Sequence, residues 1–277
     1  MTGSPGPRQT PGWAVPHRRL SACKPRVSVA WRRSTWQHQG VAKRSEVPGW
    51  MLDEVHHAGA ENLDAGHVAR YDAKEDAAAA AEVRLCRSLG LDEGATVVEF
   101  GAGTGQFTVA AAPLCRRLAA VDPSPVMRAA LAAKVARAGV GNVEVVDAGF
   151  LTYDHAGPPA DLAYSRYALH HLPDFWKAVA LARVAACLRP GGIFRLWDVV
   201  YSFAPSAAEA TVEAWCATGG DDPLAGWARS ELEDHVRDEH STYSWLLEPM
   251  IERSGFTVLD ATYSDDQFFA QYVLRRT

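Results

Sequence analysis

From Gly94 onward the chain alternates short β-branched apolar runs with longer Ala/Leu-rich segments of helical character. That alternation is the pattern of a parallel sheet covered by helices on both faces, since each strand must cross back through a helix before the next can pair beside it. Strands are expected near 95–100, 117–121, 143–146, 160–165 and 192–200, and helices near 73–90, 105–116, 124–138 and 174–188. Ser124 followed by Pro125 reads as an N-cap with proline in the first helical turn, and Pro190-Gly191-Gly192 stops a helix before the fifth strand. Helical stretches follow at about 205–217, 229–239 and 242–254, then Gly255 as a C-cap and two closing strands, 256–264 and 267–275. The expected fold class is α/β with a doubly wound sheet.

Charge divides the chain. Residues 1 to 50 hold nine Lys/Arg against Glu46 alone, so they carry +8 and leave −13 on the other 227 residues of a chain whose formal charge is −5. This basic segment is rich in Pro, Gly and Ser and has no period, which reads as a disordered tail, with Met51 as the expected translational start. The five cysteines are scattered without CxxC spacing, which points away from disulfides and zinc knuckles and toward a reducing cytoplasm. No run approaches the roughly 18 apolar residues needed to span a bilayer, so no membrane association is expected.

The chemistry concentrates at the first strand-to-helix turn, Glu99-Phe100-Gly101-Ala102-Gly103-Thr104-Gly105-Gln106. A glycine-rich turn there lets a ligand approach the backbone and presents the free N–H groups of the next helix. Its spacing is GxGxG, with Gln106 where a dinucleotide fingerprint wants its last glycine, and the carboxylate of Glu99 suits an ammonium group and repels a pyrophosphate. Asp122 closes the second strand, seventeen positions after Gly105, where a carboxylate can accept both hydroxyls of a ribose. Asp147 ends the third strand, where it can bind an exocyclic amine of adenine. Three acids at the C-terminal ends of three successive strands define one crevice, the place where open α/β sheets bind ligands.

These motifs resemble those of class I S-adenosylmethionine-dependent methyltransferases. The matching stretches are Glu99 to Gly105, Ala120-Val121-Asp122-Pro123-Ser124, Val145 to Phe150, Asp161 to Asp174 and Leu188 to Gly192, in the family's order, and the likeness covers about residues 70 to 275. The resemblance implies a Rossmann-like, seven-stranded, mostly parallel sheet with an antiparallel last strand, and S-adenosyl-L-methionine as cofactor. It also implies roles: Glu99 and the backbone of Gly101, Ala102 and Gly103 near the methionine part, Asp122 on the ribose, Asp147 and Ala148 at the adenine, Met127 packed on the adenine, and Ser165 near the methionine moiety.

In that reaction the acceptor's lone pair displaces the sulfonium methyl, so the protein mainly aligns two partners and, where needed, removes a proton. His171, His170, Tyr167 and Asp198 are the candidate bases, and His171 is the choice, because imidazole can act near neutral pH. No metal is expected: adjacent histidines seldom converge on one ion, and no nearby acid completes a set. Residues 201 to 250 are expected to form a helical lid over the site, and their Tyr201, Phe203, Trp215, Trp227, Tyr243 and Trp245 suit a flat acceptor if they do not simply pack the lid. Ten acids against Arg229 and Arg237 between 203 and 250 make a poor surface for nucleic acid, so the partner expected is a small-molecule substrate. The alternative is a catalytically silent methyltransferase-like domain that binds cofactor or a partner protein.

Overall fold

The computed structural model describes residues 48–59, 61–74, 78–220 and 227–277. The expected basic tail lies outside them, apart from its last three residues.

Strands run over Thr96–Phe100 (β1), Arg117–Asp122 (β2), Val143–Asp147 (β3), Ala160–Arg166 (β4), Leu188–Tyr201 (β5), Thr242–Tyr243 (β6), Phe256–Tyr263 (β7) and Phe269–Arg276 (β8). Helices run over Ala65–Lys74 (α1), Ala79–Ser88 (α2), Gln106–Ala111 (α3), Pro125–Ala138 (α4), Asp174–Cys187 (α5), Ala208–Cys216 (α6), Arg229–Asp238 (α7) and Ser244–Arg253 (α8). The sheet order is β3-β2-β1-β4-β5-β8-β7, with β8 antiparallel to both neighbours. The seven strands expected from the sequence are thus present, and the two-residue β6 adds an eighth by pairing parallel to the end of β5.

Period-two alternation sends successive strand residues to opposite faces. Val98 and Phe100 join the core beneath α5 and α8, whereas Val97 joins the core with Val83 and Cys86 of α2 and Phe107 of α3. Every residue of β1 is buried, as the centre of a doubly covered sheet requires. Ser124 caps α4, its hydroxyl accepting from the Met127 N–H at 3.1 Å. Pro190-Gly191-Gly192 differs from expectation. Helix α5 has already ended at Cys187, and the three residues lie inside the start of β5, where pairing with β4 slips between Ala160 and Leu162. Proline offers no ladder N–H and Gly191 has φ +74°, so the segment forms an irregular edge instead of a clean helix stop.

The lid is smaller than expected. Leu247 and Ile251 of α8 are fully buried in the sheet's own core, so α8 belongs to the helical layer and the lid ends at β6.

Buried Arg195 of β5 ties α2 to the sheet. It donates from Nε and Nη2 to the two carboxylate oxygens of Glu82 in α2, both at 2.8 Å, and from Nη2 to Gln271 of β8 at 2.5 Å.

Candidate functional site

Strand order reverses between β1 and β4, and a cleft of about 610 Å³, including its open mouth, lies at the C-terminal ends of the strands there. Its wall includes Gly101, Gly103, Asp122, Met127, Tyr167 and His171.

The glycine turn forms the floor. Gly101 takes φ +69°, and a Cβ there would meet that of Ala168 at 2.2 Å. At Gly103, φ is +53°, the space above is open, and the N–H donates to Asp122 Oδ2 at 2.8 Å. The Ser124 N–H donates to Oδ1 of the same carboxylate at 2.8 Å, so each oxygen keeps a lone pair for a ligand. Burial, opposed by these two N–H groups and by Arg128, lifts the Asp122 carboxyl to about 6. Met127 supplies an apolar wall, and Tyr167 sits in a left-handed conformation (φ 52°), a form of strain that concentrates at functional sites.

Other expected residues stand behind or beside this wall. Glu99 is buried under the glycine turn and accepts from the Thr108 hydroxyl at 2.5 Å, which makes it an anchor of α3 against the turn. Ala102 packs with Phe107 and Leu118 in one core, and Ala148 with Phe100 and Phe150 in the other. Asp147 is half-exposed and pairs with Arg128 at 2.9 Å. Ser165 is fully buried, and its hydroxyl oxygen has no hydrogen-bond partner.

Burial, only partly offset by the Thr108 bond, lifts Glu99 to about 8. Ordinary carboxyls ionise near 4.5, so the folded state binds more protons than the unfolded chain between these values, and stability falls as pH rises across that window. Glu99→Gln cannot ionise and keeps an acceptor for Thr108. Wild-type stability is expected to fall by about 3 kcal/mol more than the variant's between pH 5 and 8, as chemical denaturation measures.

Several wall residues escape sequence reasoning. Glu54 accepts from the Leu151 N–H at 3.0 Å and the Thr152 hydroxyl at 2.9 Å, which pins the segment before α1 over the cleft. The Asn62 carbonyl accepts from Ser124 Oγ at 2.7 Å. This segment has no hydrophobic period to announce it. The Arg166 guanidinium lies over the Tyr167 and Trp197 rings at 4.6 and 4.3 Å and brings positive charge to the cleft.

Behind His171 lies a polar cluster. His170 Nδ1 donates to Asp198 Oδ1 at 2.5 Å, and its Nε2 is 2.9 Å from Glu239 Oε2. Burial disfavours an imidazolium there, but Asp198 and Glu239 outweigh it and raise His170 to about 10. Burial and the charge on His170 push His171 down to about 3, so His171 is neutral at physiological pH. The expectation that no acid completes this pair is corrected: His170, His171 and Glu239 bring three ligand atoms within 4.8 Å of one another, because the chain after α7 packs against the histidine turn, the His240 N–H donating to the His170 carbonyl at 3.1 Å.

The lid aromatics pack mainly on one another and on Phe268. Tyr201 contacts Phe203 and Tyr243, and Trp215 stacks on Phe268 at 4.3 Å. Trp227 and Trp245 are exposed, and none of the six lines the cleft.

Comparisons with known proteins converge on one family. Residues 97–192 match a family described as a methyltransferase domain. An uncharacterised methyltransferase of Geobacillus thermodenitrificans is 30% identical over 63% of this chain and 75% of its own length. A structure described as a SAM-dependent methyltransferase of Aquifex aeolicus superposes with a TM-score of 0.55 over 77% of this chain and 99% of that one, at 15% identity. The [4+2]-cyclase SpnF shares the fold, with a TM-score of 0.53, 17% identity, and coverage of 70% of this chain and 80% of that one.

Proposed function

Because the chain belongs to the class I S-adenosylmethionine-dependent methyltransferases, we propose that it transfers a methyl group to a small-molecule acceptor. The observation that carries this reading is the cleft at the strand reversal. It combines an open glycine floor, a carboxylate with one free lone pair on each oxygen, and an apolar methionine wall.

These groups fit S-adenosylmethionine. Asp122 would hold the ribose hydroxyls, Met127 the adenine face, and Gly101 and Gly103 the backbone approach. Asp147 and Ala148, set back from the wall, would border the adenine. Ser165, whose buried hydroxyl is unpartnered, would stand near the methionine end, and the Arg166 charge would suit its carboxylate. When bound, the cofactor supplies an electrophilic methyl and its own leaving group. The chain's residues then hold the acceptor in line and exclude water. His171 faces the cleft as a neutral imidazole whose lone pair accepts from a donor or coordinates, but a group near 3 does not store a proton at neutral pH. Alignment therefore does most of the work.

The ten acids between residues 203 and 250 favour a neutral or cationic acceptor over a polyanion such as DNA or RNA. No helix among the described residues is long and apolar enough to cross a membrane, and the four described cysteines are free and buried, which supports a cytoplasmic setting.

The test is turnover. Incubation with S-adenosylmethionine and a panel of hydroxylated and amine acceptors is expected to release S-adenosylhomocysteine with at least one of them. Cofactor binding without turnover across the panel would favour the silent-domain reading, and no binding would sink the cofactor assignment.

A further inference from the structure

We propose that His170, His171 and Glu239 form a site for one divalent transition-metal ion of the zinc class, built into the cleft wall where the acceptor approaches. The three residues come from two parts of the chain. His170 and His171 lie on the turn after β4, and Glu239 follows α7 in the lid.

Three observations carry the assignment. His170 Nδ1 donates to Asp198, which in turn accepts the Leu169 and Val199 N–H groups at 2.8 and 2.7 Å, so Nε2, the nitrogen beside Glu239, is the one left to ligate, and it gives up its proton to solvent when the ion binds. A carboxylate holding the far nitrogen of a ligating histidine is the usual support of a metal site. Second, Glu239 Oε2 is buried, 2.9 Å from His170 Nε2 and 2.6 Å from His235 Nδ1, yet it has no partner in hydrogen-bond geometry. Atoms that crowd together without aligning on one another are what ligands of a common ion look like; tetrahedral zinc ligands at 2.0–2.1 Å stand about 3.3 Å apart. Third, the His171 ring makes no hydrogen bond among the described residues, although it is adjacent to this carboxylate and lines the cleft.

Two imidazoles and one carboxylate leave a fourth position open, the arrangement of a zinc site that takes a ligand. Because His171 is both ligand and wall, that position serves an acceptor offering a hydroxyl or amine lone pair. This role rests on the methyltransferase reading; binding of the ion does not.

Cobalt(II) tests the site on the full chain after stripping with a chelator. One equivalent is expected to bind and give the visible absorption of a four-coordinate ion, with zinc displacing it. Glu239→Gln, a near-isosteric change outside the cofactor wall, is expected to weaken binding at least tenfold, and His171→Ala to do the same. Binding of S-adenosylhomocysteine, followed by calorimetry, is expected to survive Glu239→Gln, which shows that the variant folds. Absence of stoichiometric binding, or affinity unaltered in both variants, overturns the metal site. Loss of homocysteine-nucleoside binding in the wild type would sink the methyltransferase reading while leaving the cobalt result to stand by itself.

Discussion

Replacing Asp122 by asparagine is expected to weaken binding of S-adenosylmethionine on the order of 100-fold, measured by calorimetry at pH 7.5. The carboxylate has two duties. Its oxygens hold the Gly103 and Ser124 N–H groups at 2.8 Å, and their remaining lone pairs face the cleft. Asparagine keeps one acceptor oxygen and turns an NH₂ toward a backbone donor, so one ribose bond and one loop anchor are lost together. Two charge-assisted bonds at about 1.5 kcal/mol each come to roughly 3 kcal/mol, which is that factor in affinity. A pH profile separates the ligand-binding duty from the anchoring one. With its carboxyl lifted to about 6 by burial, the wild type is expected to lose affinity as pH falls below 6, whereas the variant stays flat. Unchanged affinity in the variant would mean that the ribose lies elsewhere and Asp122 only anchors the loop.

The largest effect on stability is expected at Arg195→Leu. Arg195 and Glu82 are both almost completely buried and joined by two hydrogen bonds. Removing one partner leaves the other as an uncompensated charge in the interior, which costs about 3–5 kcal/mol. In a domain of this size that lowers Tm by on the order of 10 °C, as calorimetry measures. The double variant Glu82→Leu/Arg195→Leu is expected to recover most of the loss, because the penalty comes from the orphaned carboxylate more than from the missing pair. If the double variant is as unstable as the single one, the guanidinium's packing between α2 and β8 is what matters.

Strand and helix positions were readable because the central strands are buried on both faces, so Val97-Val98 and Leu118 to Val121 appear as continuous apolar runs. The glycine turn and Asp122 were readable for another reason: a positive φ and a carboxylate at a strand end leave few alternatives in residue type. Residues acting through long-range contacts were not. Glu54 reaches Leu151 across 97 positions, and Glu239 sits in a charge run that reads as an ordinary solvated helix face. The lid aromatics show how composition misleads: Tyr201, Phe203 and Trp215 satisfy one another and Phe268, which spends their apolar area on packing.

Thr242 and Tyr243 pair with Val200 and Tyr201, so the segment between leaves the sheet and returns to it at the same two rungs. A loop whose ends already meet can be lengthened, shortened or exchanged at a cost that grows only with the logarithm of its length. Descendants of this chain could therefore inherit the cofactor cleft whole while trading that segment. Choice of acceptor, and the Glu239 carboxylate that the lid brings to the histidine pair, would then diverge on a separate evolutionary clock from cofactor binding.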